Sequence, residues 1–196
     1  MVSLCLGITA FTLYFIYDIN SFTWQKKSLH GFFLLGTLLL FVATGLDLWE
    51  SWVAGAFSGA ADVLLLIAAF FWFWAMIYSL FFALPFQKTY TQQSTGNKVY
   101  RSGVYALCRH PGVLCFWITY LLMGLAALPT RMILRGLVFS LLNLAYAWFQ
   151  DCVTFPKTFC DYSDYQRQVP FLIPTSNSVS IARKTLFSTH DEEVIS

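Results

Sequence analysis

Long stretches of this chain carry no Asp, Glu, Lys or Arg at all. They are Met1–Tyr17, Ser28–Leu46, Val63–Gln87, Pro111–Thr130 and Gly136–Gln150, and Leu, Phe, Ile, Val, Ala and Trp dominate each of them. A helix needs about 20 apolar residues to cross the hydrocarbon of a bilayer. No water is present there to satisfy backbone N–H and C=O groups, so only helices and closed barrels span it. The apolar runs are continuous and do not alternate, which excludes barrel strands. The pattern predicts five membrane helices, at 2–17, 29–48, 60–84, 111–128 and 132–148. The brief Ala127–Arg131 turn makes a hairpin of the last two.

Composition agrees. The chain is 58% hydrophobic and 19% aromatic, with only 11% charged residues, against about 25% charged in a soluble domain. A surface so poor in charge would associate through its apolar patches. A soluble cytosolic enzyme, a nucleic-acid binder and a disordered chain are thereby excluded. With 196 residues there is room for one compact unit. The reading is an all-α integral membrane protein with a single membrane domain over 1–174 and a disordered, Ser/Thr-rich tail over 175–196 that ends near Asp191-Glu192-Glu193.

Five spans place the first loop, the third loop and the C-terminal tail on one side. Lys26, Lys27, Lys88, Lys98, Arg101, Arg109, Lys157, Arg167, Arg183 and Lys184 fall there, and only Arg131 and Arg135 fall opposite, with the acidic Asp47, Glu50 and Asp62. Positive charge stays cytoplasmic, so the expected orientation is N-terminus outside and C-terminus inside. No basic region precedes the first apolar run and no A-x-A site ends it, so a cleaved signal is not expected. The cysteines at 5, 108, 115, 152 and 160 have no metal-ligand spacing and no expected disulfide. Only three His occur, none at a helix centre, which removes a haem reading. A transporter would need polar side chains at the midplane of several helices, and none is expected there.

Two cytoplasmic segments flank the hairpin. The first, Phe86–His110, is polar and ends in Arg109-His110-Pro111. The second, Asp151–Pro174, holds Phe159, Tyr162, Tyr165, Val169 and Pro170. Tyr162 and Tyr165 fall on one helix face and suit packing. The hairpin makes the cytoplasmic ends of its helices neighbours, so His110 and Asp151 are expected to approach one another.

The run from Asn97 to Pro111 resembles the isoprenylcysteine carboxyl methyltransferase family, which carries V-x-x-S/T-G-x-Y-x-x-x-R-H-P before a membrane hairpin. After the hairpin that family has acidic residues and F-G-x-x-Y-x-x-Y-x-x-x-V-P. This chain matches with one residue fewer between Phe159 and Tyr162, over roughly Asn97–Pro174. The resemblance implies S-adenosylmethionine bound within the membrane domain and not on a Rossmann fold. It assigns the cofactor to Asn97, Lys98, Val99, Tyr100, Tyr105, His110, Pro111, Gly112, Val113 and Asp151. His110, Arg109 and Asp151 are the candidate catalytic groups, and no metal is implied.

The expected reaction is methyl transfer to a membrane-associated amphiphile. A carboxylate acceptor is already anionic at neutral pH and needs mostly positioning. An amine must first lose a proton, with help from His110 or Asp151. The chain departs from the family pattern at Val113, where relatives have Tyr, at Cys152, where a second acid is usual, and at Ala147, where an Arg faces the acceptor. Cofactor binding therefore carries over better than substrate identity, and a prenylated-protein substrate is not expected. The alternatives are a membrane scaffold or binding protein that has lost catalysis, and a small membrane reductase using a nicotinamide cofactor. The sequence leaves the oligomeric state open.

Overall fold

The structure is a computed structural model that describes residues 1–83, 98–128 and 130–187. Every regular element among them is helical: α1 (Val2–Ile19), α2 (Phe32–Val53), α3 (Ala60–Ile77), α4 (Val104–Leu107), α5 (Pro111–Ala126), α6 (Met132–Phe149), α7 (Phe155–Thr158), α8 (Tyr162–Gln168) and α9 (Ser176–Phe187). Three of them run on into π-helical turns, α1 into Asn20–Trp24, α3 into Tyr78–Phe82 and α6 into Gln150–Thr154. Four helices are long and apolar enough to cross a membrane, over Val2–Trp24, Lys27–Val53, Ala60–Phe82 and Met132–Thr158. The protein is thus an all-α membrane protein, as its charge-free runs foretell. The fifth apolar helix, α5, has 16 residues and at 1.5 Å per residue reaches only about 24 Å.

Three boundaries differ from expectation. The first helix passes its expected end at Tyr17, because Asp18 and Asn20 are buried and hydrogen-bonded inside the fold, where polar residues do not stop a helix. Helix α2 runs to Val53, past Asp47 and Glu50, because Arg135 binds both carboxylates. The tail expected to be disordered carries α9. A reciprocal cap starts it: the Thr175 N–H donates to Ser178 Oγ (2.9 Å) and the Ser178 N–H to Thr175 Oγ1 (3.2 Å). Residues 188–196 lie outside the described part of the chain.

Local chemistry explains the other ends. Gly55, at φ +74°, follows α2 and donates its N–H to the Trp52 carbonyl, the left-handed exit that glycine makes without strain. Asp62 Oδ2 accepts the Gly59 N–H at 2.9 Å at the start of α3, so it caps the helix. Pro111 opens α5, where a missing N–H costs nothing.

The described residues fall into two compact units, Met1–Phe73 with Phe116–Thr154, and Trp74–Cys115 with Phe155–Ser196. In the first, α1 and α2 pack through small residues: a Cβ on Gly36 would lie 2.9 Å from the Ala10 carbonyl oxygen, and Gly7 makes room for the buried Phe139 ring. Close backbone approach of this kind drives helix association in lipid. A polar seam follows α2 at seven-residue spacing. Thr37 meets the Tyr14 hydroxyl, Thr44 the Tyr120 hydroxyl, and Ser51 the Thr130 hydroxyl. Between the last two, Asp47 pairs with Arg135, at 2% and 11% side-chain exposure. The outer faces of α2 and α3 stay apolar, with Leu38, Phe41, Ile67 and Phe71 exposed.

In the second unit, Tyr162, Tyr165 and Val169 form a buried core with Val99, Phe155 and Phe159 against it. Helix α9 packs on α4.

Candidate functional site

The two segments singled out by sequence close on each other inside the second unit. The pre-hairpin segment of residues 98–103 lies along the start of α8. Asp161, the residue just ahead of α8, accepts the Val99 N–H at Oδ1 (2.9 Å) and the Arg101 guanidinium at Oδ2 (2.7 Å). Arg101 also donates to the Asp161 carbonyl at 3.1 Å. Gly103 then takes φ +64°, ψ −132°, a conformation side chains disfavour, and its N–H reaches Thr185 Oγ1 of α9 at 3.1 Å.

Tyr105 is held at both ends. Its hydroxyl donates to the Ser79 carbonyl at 2.8 Å, its own carbonyl accepts the Tyr165 hydroxyl at 2.7 Å, and Tyr100 meets its ring edge-to-face. Gly112, at the start of α5, admits the π-helical turn of α3 to close range, since an added Cβ would lie 3.2 Å from Ser79 Oγ.

The Arg109-His110-Pro111 end is equally committed. The Arg109 N–H donates to the Pro170 carbonyl (2.9 Å) and the His110 N–H to the Phe171 carbonyl (3.3 Å). The Arg109 guanidinium donates to the carbonyls of Gln166 (2.8 Å) and Val169 (3.1 Å) and lies over the Phe171 ring. A cation on the last carbonyls of a helix meets its negative dipole end, so Arg109 locks α8 to the pre-hairpin segment. The buried His110 ring stacks on Phe155 at 5.9 Å and meets Phe171 edge-on at 4.9 Å. Cys108 beside it is fully buried, and desolvation pushes its thiol up to about 11 despite a hydrogen bond from the His110 backbone.

Of the residues expected to hold a cofactor, the structure brings Val99, Tyr100, Tyr105 and His110 into one interlocked segment. Lys98 stands exposed at its start, and Pro111 and Val113 are buried in the first turn of α5. Asn97 lies outside the described residues. Asp151 is buried in the π-helical turn after α6, within the first unit. Among the described residues no group of His, Cys, Asp and Glu has metal-binding geometry.

Sequence reading passed over Asp161, Thr185 and Asp18. An acid just ahead of the helical Tyr162/Tyr165 face was the signal for Asp161. For Thr185 it was the Thr175–Ser178 cap that makes α9 a helix. Nothing in a single sequence pairs Asp18 with residues of α6. No family model, curated protein or solved structure matches the chain.

Proposed function

We propose that this protein is an integral-membrane methyltransferase that uses S-adenosylmethionine, similar to isoprenylcysteine carboxyl methyltransferases, and that it methylates a membrane-associated amphiphile. One observation carries the reading. The two segments that resemble the family clamp each other through Asp161, Tyr165 and Arg109, so residues 98–113 form a fixed surface and not a loose loop. A fixed surface presents ligand groups without an ordering cost at binding.

The donor set suits the cofactor. Lys98 supplies a cation for the methionyl carboxylate, Tyr100 an aromatic face for the adenine, and Tyr105 and His110 fix the segment between them. Asp151 enters by resemblance, as the partner of the methionyl ammonium. The cofactor would supply an electrophilic methyl group on sulfur, and the protein would supply position and exclusion of water. The excess of Lys and Arg in residues 26–27, 98–109, 157–167 and 183–184 favours a cytoplasmic site, with the N-terminus outside.

The engagement of Arg109 with backbone carbonyls, together with a buried Ala147 where relatives have Arg, favours a second reading: a membrane binding protein without turnover. Calorimetric titration of the detergent-purified chain with S-adenosylmethionine tests the first reading. Saturable binding is expected, weakened about tenfold or more by His110→Ala and by Asp151→Ala, the loss typical of a charged hydrogen bond. Folded, monodisperse protein that binds none of it removes the methyltransferase, and a nicotinamide cofactor is then the next ligand to titrate. Binding without product over a panel of lipidic carboxylates and amines selects the second reading.

A further inference from the structure

The first unit holds a second arrangement that the proposed cofactor segment does not use. Asp18, at the end of α1, is 5% exposed. Thr154 Oγ1 donates to its carboxylate at 3.4 Å, and the Tyr146 and Gln150 side chains lie beside it. All three partners are neutral, and among the described residues no Lys or Arg pairs with Asp18. Lys26 and Lys27, the nearest cations in sequence, are exposed. The buried carboxyl therefore has hydrogen-bond donors but no cation beside it, and a charge in such a place is costly until it is paired.

Tyr146, which lies beside Asp18, belongs to an aromatic cluster: it stacks on Tyr14 at 5.5 Å and meets Phe15 at 5.3 Å, and Phe15 meets Phe149 at 5.2 Å. One turn before Tyr146 on α6, Asn143 Oδ1 is buried with no hydrogen-bond partner among the described residues. A carboxylate beside aromatic rings is chemistry that recognises an ammonium, whose charge suits both the acid and the ring faces.

We propose that the first unit binds the ammonium group of an amine-bearing amphiphile, with Asp18 as its counter-ion and Tyr14, Phe15, Tyr146 and Phe149 as its aromatic surround. The inference stands apart from the methyltransferase reading and assigns no reaction to Asp18.

The test uses the full chain in nanodiscs of uncharged, amine-free lipid, with dodecylamine and dodecanoate as probes of equal chain length, read by microscale thermophoresis. Dodecylamine is protonated at neutral pH, as a lysine side chain is. The amine should bind about tenfold or more tightly than the acid, and Asp18→Asn should remove most of that preference. Equal affinities, or a preference that survives Asp18→Asn, overturn the inference. Should Asp18→Asn fail to fold, Phe15→Leu and Phe149→Leu keep the test open: each should weaken the amine several-fold and leave the acid unchanged, and unchanged amine affinity in both sinks the site. No S-adenosylmethionine is present in these titrations. Amine binding in a chain that never binds the cofactor therefore fails the methyltransferase alone, and cofactor binding without amine preference fails the ammonium site alone.

Discussion

The hydroxyl of Tyr165 donates to the main-chain carbonyl of Tyr105 at 2.7 Å, joining α8 to α4 across sixty positions of sequence. Tyr165 is 2% exposed, so water cannot replace it at that carbonyl. Tyr165→Phe keeps the ring and loses the bond, at about 1–2 kcal/mol. A thermal midpoint lower by a few degrees is expected, with weaker S-adenosylmethionine binding, because the shifted backbone belongs to the proposed cofactor segment. A midpoint equal to the parent's would show that the bond holds nothing.

Gly103 has the backbone angles that side chains disfavour, and Gly45 on α2 has open space around it. Gly103→Ala should cost about 1–3 kcal/mol through backbone strain, and Gly45→Ala should be neutral or add about 1 kcal/mol from helix propensity. Paired melting curves of the two variants decide this, and a similar response in both would contradict it.

Asp47 and Arg135 bind each other inside the helices of the first unit. Removing one partner leaves the other charge buried, so Arg135→Ala should cost about 3–5 kcal/mol. The double change Arg135→Gln with Asp47→Asn, which leaves neutral groups able to hydrogen-bond, should recover most of that. Size-exclusion profiles of fluorescently tagged variants would show it: aggregation for the single change and a monodisperse peak for the double.

Cys108 is buried with its thiol pushed up to about 11, and Cys5, Cys152 and Cys160 are exposed. At neutral pH a maleimide should label Cys160, which is exposed outside the membrane-spanning helices, and spare Cys108 until the protein is denatured, since only the thiolate reacts. The folded state holds the Cys108 proton more tightly than the unfolded chain does. That stabilisation is complete below pH 9.0 and is lost as pH rises to about 11. Rapid Cys108 labelling of native protein at neutral pH would refute both statements.

Much of the fold was legible because lipid imposes one simple rule, and charge-free runs mark where the chain obeys it. The rule failed where a polar residue finds its partner inside. Asp18 and Asn20 lay past the expected end of the first helix and Glu50 past that of the second, because the partners that let the helices continue are distant in sequence. Helix α9 was hidden by a composition that reads as disordered, although Thr175 and Ser178 already carried its cap. In the candidate site, spacing brought forward Tyr105, Arg109 and His110. It could not show that Asp161 clamps Val99 and Arg101, since that bond depends on how two segments fold back on each other.

The pair formed by Asp47 and Arg135 spans 88 positions of sequence, and this has a consequence for how the protein is made. Synthesis runs from the N-terminus, so α2 reaches the bilayer well before the ribosome has made the cation that its acid requires. Until α6 arrives, the Asp47 carboxyl has to remain hydrated, protonated or held by the insertion machinery, and α2 is a provisional guest of the membrane. Docking of the last hairpin ends that wait, so the order of translation is written into the order in which the helices become permanent.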